Sequence, residues 1–448
     1  MTNSSRSSGS QWRRYLRWFE PGLGVKRWLL LMVLSTALIG LGLAVILLDI
    51  YRTYPGSPWL KILSLSPLPR VLRAVILGGS GALLLIYSAM RLNRSLMAPY
   101  VRPGTSVVET VAEHRRLERG PRIVAIGGGT GLSTLLRGLK MVTSNMVAIV
   151  TMADDGGSSG RLRRSLGLPP PGDLRNCLAA LSDDEDLLTR LFQYRFLDGD
   201  ELGGHPFGNL FIAALAGATG SFECGILEAG RVLAIRGKVI PATLRDIALL
   251  ADKSPSFDAR AVRIEGESSI PSFPGRITRV QLEPDDPPAY PEALRAILNA
   301  DMVVIGPGSL YTSILPNLLV PDIVAALKAT RAFRVFVCNV ATQIGETDGF
   351  SCMQHVEAIE THIGKGIFDQ IVANDCYSEK LPDGISWVQD SNGAMLIPIY
   401  KTDLIDKNRP SHHDPVKLSE TLISLLEERT GPLDLPPLDD FAQVKGLN

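Results

Sequence analysis

The residues best suited to chemistry begin in a glycine-rich corner within the stretch Ile123–Leu139. Four apolar residues run into the turn Gly127–Gly131, which reads GGGTG, and leucines then recur at helical spacing. This pattern predicts a buried strand, a glycine turn and a helix. Glycines have no Cβ to keep a ligand from the backbone amides, and a helix N-terminus adds free N–H groups and a positive dipole end. The corner therefore predicts a phosphate-binding site.

Two common phosphate-binding motifs do not match this corner. The phosphate loop of the NTPases ends in Gly-Lys-Ser/Thr, and the first lysine after the corner is Lys140. The dinucleotide fingerprint needs Gly-x-Gly-x-x-Gly/Ala, and counting from Gly127 places Leu132 in the last position. A tight strand-to-helix turn that binds nothing is the alternative, and a dinucleotide-dependent enzyme is disfavoured.

A pair of carboxylates follows the second predicted strand, Met146–Thr151. Asp154 and Asp155 could bind ribose hydroxyls, because a carboxylate can accept hydrogen bonds from two hydroxyl groups. They could instead hold Mg²⁺ together with a phosphate, which is the oxygen environment that this ion prefers. Asp-Gly is also a common turn pair, so a purely structural turn stays open.

Further polar residues follow along the chain in short clusters. Ser158 and Ser159 lead into three arginines, which suit phosphate or carboxylate oxygens but also solvated helix faces. Asp173 is placed to cap a helix. His205 stands in the loop HPFGN beside Asn209, and a lone histidine of this kind is more often packed or capping than catalytic.

A second glycine turn, GPGSLYTS over residues 306–313, follows the predicted strand Asp301–Gly306 and opens a helix, so it predicts a second anion site. Tyr311 could stack on a base or sugar, or it could simply cap the core. Asn339 and Gln343 follow the next strand, Arg334–Val340. The pair at residues 412–413, His-His, lies in a polar loop and is expected at the surface.

Both glycine turns, the aspartate pair and Gln343 follow predicted strands, and strands and helices alternate from residue 121 onward. Uncharged strands alternating with helices favour a mostly parallel sheet covered on both faces, with ligands beyond the carboxyl ends of its strands. Residues 257–290 break the rhythm, and Arg260–Glu265 with Arg276–Glu283 predict an antiparallel hairpin that forms a flap. The other expected strands are Val232–Ile235, Val239–Ile240 and Phe368–Ala373, and the expected helices include Asp183–Tyr194, Pro206–Gly217, Pro291–Asn299 and Leu315–Ala329.

The N-terminal region carries two uncharged runs, Trp28–Leu48 and Ala74–Met90. Each reaches the roughly 17–25 residues that a transmembrane helix needs, so they predict a two-helix hairpin. Basic residues before and after it favour both termini inside, which places the main domain in the cytoplasm at the cell membrane. A signal peptide and a buried soluble hairpin are the alternatives. The predicted organisation is a basic cytoplasmic N-terminus (1–27), a transmembrane hairpin (28–90), a linker (91–120), a nucleotide-binding α/β domain (121–430) and a flexible tail (431–448).

Composition excludes several classes of protein. The 448 residues include 46 basic and 46 acidic ones, and this balance gives no reason to expect a nucleic-acid partner. Five cysteines without a CxxC pair indicate neither a disulfide framework nor a zinc site, and they favour reduced thiols.

Several long motifs, in order, resemble the 2-phospho-L-lactate transferase-like family, and most closely its gluconeogenesis-factor branch. They are IVAIGGGTGLSTLLRGLK, TMADDGGSSGRLR, PPGDLRNCLAAL, HPFGNL and IGPGSLYTSILPNLLVP. The resemblance covers residues 121–430 and leaves out the predicted hairpin. It implies a Rossmann-like three-layer α/β/α fold that is usually dimeric.

The two branches of the family imply different functions. The gluconeogenesis-factor branch implies a regulator that binds a UDP-sugar, such as UDP-N-acetylglucosamine, and supports cell shape and wall synthesis on gluconeogenic carbon sources. The transferase branch implies Mg²⁺-dependent transfer of a substituted phosphate group to a deazaflavin. If the chain is an enzyme, Asp154, Asp155 and His205 are the expected catalytic residues, and the two aspartates are the expected metal ligands. The ligand-binding residues that the resemblance implies are Gly127, Gly128, Gly129, Thr130, Gly131, Ser158, Ser159, Asp173, Asn176, Asn209, Gly308, Ser309 and Tyr311.

Overall fold

The computed structural model describes residues 25–53, 58, 67–97, 114–182, 185–197, 202–254, 260–390 and 397–433. The chain divides into two compact units, Met1–Arg115 and Arg116–Asn448. Most of the predicted linker and of the C-terminal tail lies outside the described residues.

The first unit contains two helices, α1 (Val25–Thr53) and α2 (Arg70–Met97). They include both uncharged runs, and their described apolar side chains are exposed, for example Ile39 at 72% and Leu83 at 70%. Among the described residues, one single helical stretch, Val71–Ala89, is long and apolar enough to cross a membrane. Two bent helix pairs of the second unit meet the same criterion only if each pair counts as one span: Phe207–Thr219 with Phe222–Val232, and Leu310–Leu318 with Pro321–Ala329.

The second unit is built on a parallel sheet of seven strands in the order β10-β9-β8-β7-β1-β2-β3. Every residue of β1 and β7 is buried, which is expected when helices cover both faces of a parallel sheet. The strand bounds are β1 Ile123–Gly127, β2 Met146–Val150, β3 Lys238–Pro241, β4 Ala248–Ser254, β5 Val262–Glu265, β6 Arg276–Glu283, β7 Met302–Ile305, β8 Phe333–Val337, β9 Gln370–Asn374, β10 Ile399–Thr402, β11 Ile405–Asp406 and β12 Arg409–His413. This confirms the mostly parallel α/β fold.

The helices that follow these strands present their apolar faces to the sheet and to one another. In α3, which follows the first glycine corner, the leucines at positions 132, 135, 136 and 139 are all fully buried. The helices are α3 Gly129–Leu139, α4 Gly157–Leu166, α5 Gly172–Leu181, α6 Glu185–Gln193, α7 Phe207–Thr219, α8 Phe222–Val232, α9 Pro291–Asn299, α10 Leu315–Leu318, α11 Pro321–Ala329, α12 Cys352–Ile363 and α13 Pro415–Thr430, and a short π-helix spans Leu310–Ile314.

The flap differs from the predicted hairpin. It is a three-stranded antiparallel sheet in the order β5-β4-β6, so the two strands predicted to pair with each other both pair with β4 instead. The sequence of β4 hides its position because Lys253, a residue typical of surfaces, is fully buried there. Its Nζ donates to the carbonyls of Ile270 and Gly345 at 2.8 Å and of Phe273 at 2.5 Å, which satisfies the charge.

Three other elements differ from the sequence predictions. The strand expected at Val232–Ile235 is wrong, because helix α8 continues to Val232 and the chain then turns. The helix expected over Leu315–Ala329 is split in two, with Pro321 at the first position of its second half, where a proline costs no hydrogen bond. Strand β10, at one edge of the large sheet, was not predicted.

Candidate functional site

The two glycine turns meet because their strands are neighbours. Strands β1 and β7 pair in parallel, so both turns leave the same edge of the sheet. The contact is close: a Cβ on Gly131 would lie 2.5 Å from the Pro307 oxygen, and a Cβ on Gly308 would lie 3.4 Å from the Gly128 oxygen. Gly129 adds a positive φ of 62°, a conformation that favours glycine. Only glycines allow this approach of the two backbones.

Between the turns lies a cavity of about 420 Å³, called the glycine cavity here. Its lining includes six of the predicted ligand-binding residues: Gly128, Gly129, Thr130, Gly131, Gly308 and Ser309. The amides of Thr130 and Gly131 belong to the first turn of α3 and so have no acceptor within the helix. The cavity therefore presents backbone donors at the positive end of a helix, the environment that a phosphate requires.

The second turn is fixed by side chains that follow β8. The amide of Asn339 accepts from Gly308 N at 3.2 Å and donates to Gly308 O at 2.8 Å. Gln343 Nε2 donates to Ser309 Oγ at 2.7 Å. Both side chains line the glycine cavity, so they hold this turn in place from the neighbouring strand.

A cluster of carboxylates lies directly behind the first glycine corner. Asp173 accepts a hydrogen bond from the Gly129 amide, and a Cβ on Gly128 would lie 2.5 Å from Asp173 Oδ2. Burial raises the pKa of Asp173 to about 6, and the nearby charge of Asp154 acts in the same direction. Burial also raises the pKa of Asp154. Burial raises the pKa of Glu267 to about 8, and the negative charges of Asp154 and Asp173 act in the same direction. The cluster would bind a cation or hold a proton at neutral pH.

The two aspartates predicted to act together point to different partners. Asp154 Oδ1 accepts from Gly156 N at 2.9 Å, whereas Asp155 Oδ1 accepts from Ser268 N at 2.9 Å in the flap. The carboxylate that shares the site with Asp154 is Asp173, which comes from the start of helix α5. No group of three or more His, Cys, Asp or Glu side chains in the described ranges is arranged to hold a metal ion. Asp154 and Asp173 fit Mg²⁺ only in its usual manner, with one or two carboxylates and the rest of the ligands from phosphate and water.

Ser158, His205 and Asn209 form a buried hydrogen-bonded group beside this cluster. Arg161 Nε donates to His205 Nε2 at 3.0 Å, which requires the proton of a neutral His205 to be on Nδ1. His205 Nδ1 then donates to Ser158 Oγ at 2.7 Å, and Asn209 Nδ2 donates to the same oxygen at 3.0 Å. Burial and the Arg161 charge both lower the pKa of His205. In this geometry His205 orients Ser158 and does not act as a base. The Ser158 hydroxyl accepts both hydrogen bonds, so its own O–H group is free to donate to another acceptor.

Two further predicted residues lie in this buried layer. Ser159 hydrogen-bonds to Asp154. Asn176 Oδ1 accepts from Arg175 at 2.8 Å. Arg175 itself is 8% exposed, lies near both Asp154 and Asp173, and has an Nε without a hydrogen-bond partner among the described residues.

Tyr311 is buried in the core, which is the second of the two positions that the sequence left open, and it does not line the glycine cavity. Its side chain turns away from the glycine cavity and packs at right angles to Phe350 and His362, each with ring centroids 6.3 Å away. The reason is the π-helix, which directs Ser309 and Ser313 into the glycine cavity and Tyr311 to its other side.

The expected surface position of the two adjacent histidines is also wrong. His413 is 5% exposed, and both His412 and His413 line the glycine cavity. Burial lowers the pKa of His413 to about 4. They stand on strand β12, and the hydrogen bond between His413 Nε2 and Cys338 O, at 3.2 Å, ties this distant part of the chain to the site.

Sequence reasoning missed several groups that surround the site, including Arg175 as a buried cation and the carboxylates of Glu267 and Glu346. Glu346 is 6% exposed, lines the glycine cavity and accepts from Thr312 Oγ1 at 3.0 Å. Glu267 and Glu346 come from turns and Arg175 comes from helix α5, and tertiary structure alone brings the three together. The one local signal was the position of Arg175 within the motif PPGDLRN.

Comparison with known proteins identifies what this arrangement is similar to. The model of the family described as 2-phospho-L-lactate transferase CofD matches residues 123–392. The gluconeogenesis factor of Bacillus subtilis is 46% identical over 321 residues, which cover 69% of this chain and 99% of that protein. A Nostoc protein named "Putative gluconeogenesis factor" is 44% identical over 436 residues, 92% of each chain. A crystal structure of a Bacillus halodurans protein is 45% identical, with a TM-score of 0.62, over 68% of this chain and 99% of that one.

Proposed function

The chain belongs to the 2-phospho-L-lactate transferase CofD family, and from this premise we propose that it is a gluconeogenesis factor that binds a nucleotide-sugar. The proposed ligand class is a UDP-sugar such as UDP-N-acetylglucosamine. Its proposed role is to regulate cell shape and wall synthesis during growth on gluconeogenic carbon sources.

One observation carries this proposal: the two glycine turns face each other across a cavity of about 420 Å³. A diphosphate has two phosphoryl groups, and each turn supports one of them. The Thr130 and Gly131 amides serve the first group, and the Ser309 hydroxyl serves the second. The volume lies within the range of about 300–1,000 Å³ that is usual for small-molecule sites.

The carboxylates behind the corner add a requirement for a cation. Asp173 already accepts from the Gly129 amide, so a diphosphate beside it would face a negative charge above the Asp173 pKa of about 6. Mg²⁺ held by Asp154 and Asp173 would neutralise this charge and would bind the phosphate oxygens. Arg175 stands close to both carboxylates and adds a fixed positive charge.

Titration of the full-length chain in detergent by isothermal calorimetry tests the proposal. UDP-N-acetylglucosamine with Mg²⁺ is expected to bind saturably, and more weakly when EDTA replaces the metal. GDP and UMP are the comparison ligands. No heat with any uridine nucleotide, from protein whose cooperative thermal unfolding is intact, would reject the proposal.

A second candidate function, transfer of a substituted phosphate group to a deazaflavin, is favoured by the same carboxylates. Asp154, Asp173 and Glu267 lie near one another, and at least one of them would hold a proton near neutral pH. Incubation of the chain with a nucleotide-linked donor, a deazaflavin acceptor and Mg²⁺ is the test. Transfer product that disappears in Asp154→Asn would establish the enzyme, and absence of product alongside measured nucleotide binding would exclude it.

We also propose that the N-terminal helices anchor the protein in the cell membrane as a hairpin, with the main domain in the cytoplasm and assembled as a homodimer. Helices with long uncharged stretches whose apolar side chains are mostly exposed have a natural environment in lipid. A reporter fused after Asn448 should be active in the cytoplasm. Reporter activity on the outer side of the cell membrane would contradict this topology.

A further inference from the structure

A second cavity, of about 530 Å³, lies between the flap and helix α12 and has no part in the function proposed above. It is called the aromatic cavity here. It is lined by residues from three separate parts of the fold: Ser254, Arg276, Ile277 and Thr278 of the flap, Tyr311 of the π-helix, and Phe350, Gln354, Glu357, Ala358, Thr361 and His362 at and along α12.

Tyr311 contributes an unsatisfied hydrogen-bonding group to this cavity. The residue is only 3% exposed, yet none of the described residues forms a hydrogen bond with its phenol oxygen. That oxygen is not among the polar atoms sealed by protein. The surface that it retains therefore faces the cavity that the residue lines. Burial raises the pKa of Tyr311 to about 12, so the phenol stays a proton donor at neutral pH. A buried donor of this kind normally has a partner, and none of the described residues supplies one.

The walls around the phenol are aromatic. The rings of Phe350 and His362 stand at 75° and 72° to the Tyr311 ring. His362 is neutral and its polar atoms are satisfied: Nδ1 donates to Ala358 O at 2.6 Å, and Nε2 accepts from Val280 N at 2.9 Å. The histidine therefore offers the cavity a ring surface and no free donor. Such walls suit the face or the edge of a planar ring.

Two arginines of β6 bring positive charge to the aromatic side of the cavity. The Arg276 guanidinium lies 5.2 Å from the centre of the Phe350 ring, and its charge reaches the Tyr311 phenol, whose pKa it lowers against the effect of burial. Arg279 acts on His362 in the same manner from the same strand. Glu357, which is exposed, is the one acidic residue among the described residues that line the cavity. Glu346 also acts on Tyr311, but it binds the Tyr311 backbone amide from the side of the glycine cavity.

We propose that the aromatic cavity is a second small-molecule site, which binds a planar aromatic carboxylate. The ring packs against Tyr311, Phe350 and His362. The carboxylate pairs with Arg276, and the Tyr311 hydroxyl donates a hydrogen bond to one of its oxygens. The site is distinct from the glycine cavity, although the π-helix contributes residues to both.

The probe for this site is 2-naphthoate, titrated into the full-length chain in detergent and followed by saturation-transfer NMR. Saturable binding is expected, and the uncharged 2-naphthamide should bind at least fivefold more weakly. Tyr311→Phe and Arg276→Gln should each weaken naphthoate binding by at least fivefold. Arg263→Gln is the matched control, because Arg263 is an exposed arginine of the same flap that pairs with Asp252 outside the cavity. It should leave binding unchanged.

Three results would overturn the proposal. Equal binding to the wild type, Tyr311→Phe and Arg276→Gln would mean that the probe enters detergent or another apolar surface. Displacement of naphthoate by saturating UDP-N-acetylglucosamine in direct competition would place it in the glycine cavity. Absence of binding to a wild-type protein with intact thermal unfolding would mean that the cavity holds no aromatic anion. Since Tyr311→Phe removes one oxygen and keeps the ring, its melting temperature serves as the folding check.

Discussion

The glycine cavity and the aromatic cavity share the π-helix Leu310–Ile314 but are built from different materials. The glycine cavity is formed by two backbone turns, held by amide side chains such as Asn339. The aromatic cavity is formed by large side chains from three parts of the fold, and Tyr311 adds a phenol for which the described residues supply no hydrogen-bond partner. Rigid backbone donors at a helix N-terminus suit phosphate, whereas ring surfaces suit an organic group.

The comparison teaches that two adjacent sites in one fold can respond to different substitutions. A change of backbone shape should disturb the glycine cavity strongly, because its two turns lie very close together. A Cβ added to Gly131 would lie only 2.5 Å from the Pro307 oxygen. Removal of the Tyr311 hydroxyl oxygen should be felt only in the aromatic cavity. The predictions that follow sharpen or break this distinction, beginning with the largest expected effect.

The largest effect is expected from Gly131→Ala. The added methyl group would meet the backbone at Pro307 and force the two turns apart. Overpacking of this kind costs about 1–3 kcal/mol, so UDP-N-acetylglucosamine binding should weaken by roughly 10- to 100-fold. Isothermal titration calorimetry measures this loss of affinity. Gly217→Ala is the control, because a Cβ there meets nothing within 4 Å, and its binding should match the wild type. Equal binding by both variants would contradict the role of the turns.

The second effect concerns pH and Asp173. Its pKa of about 6 in the folded chain lies above the unfolded value near 3.8, so the folded state holds this proton more tightly. Its contribution to stability is therefore present below about pH 4 and is lost as the pH rises through 6, by up to about 3 kcal/mol. Asp173→Asn should flatten the melting temperature between pH 4 and 7.

Mg²⁺ gives the same residue a second readout. Millimolar Mg²⁺ should raise the melting temperature of the wild type at pH 7.5 more than that of Asp173→Asn, because the ion relieves the repulsion between Asp154 and Asp173. Asp155→Asn is the matched control and should keep the Mg²⁺ response, since Asp155 binds the flap backbone instead. If Asp155→Asn alone lost the Mg²⁺ response, the metal would be assigned to Asp155, one of the two aspartates predicted from the sequence.

A smaller effect is expected from His205→Ala. The substitution removes one donor from Ser158 Oγ while Asn209 keeps the other, so nucleotide-sugar binding should weaken by about fivefold, the value of one hydrogen bond near 1 kcal/mol. The lowered pKa of His205 also predicts that this residue contributes no pH dependence to wild-type binding between pH 8 and 7. A strong pH dependence in that range, abolished by the substitution, would show that the histidine acts as a base.

The smallest effect is expected from Tyr311→Phe on nucleotide-sugar binding. Its side chain lies outside the glycine cavity, so affinity for UDP-N-acetylglucosamine should change by less than twofold in calorimetry. A tenfold or greater loss of affinity would mean that Tyr311 contributes to nucleotide-sugar binding. The two cavities would then act as a single site.

The sequence was sufficient where the functional residues are contiguous and follow a strand. Gly128, Gly131 and Ser309 could be placed at one edge of the sheet because parallel strands end together. Glycine turns also leave a strong local signal. The mostly parallel fold followed from strands without charges.

The remaining features required tertiary information. Lys253 concealed strand β4, because three backbone carbonyls satisfy a charge that a sequence pattern assigns to solvent. Glu267 joins the carboxylates from the flap, about 100 residues from Asp173 in sequence, and no periodicity predicts such a contact. The sequence could not decide between the two positions open to Tyr311, because a π-helix directs side chains differently from the α-helix expected there.

The structure of the full-length chain with UDP-N-acetylglucosamine and Mg²⁺ bound tests the central claim most directly. We expect the diphosphate between the two glycine turns, with oxygens about 3 Å from the Thr130 or Gly131 amide and from Ser309 Oγ. A diphosphate bound outside the glycine cavity, with Gly131 and Ser309 both uncontacted, would contradict the account.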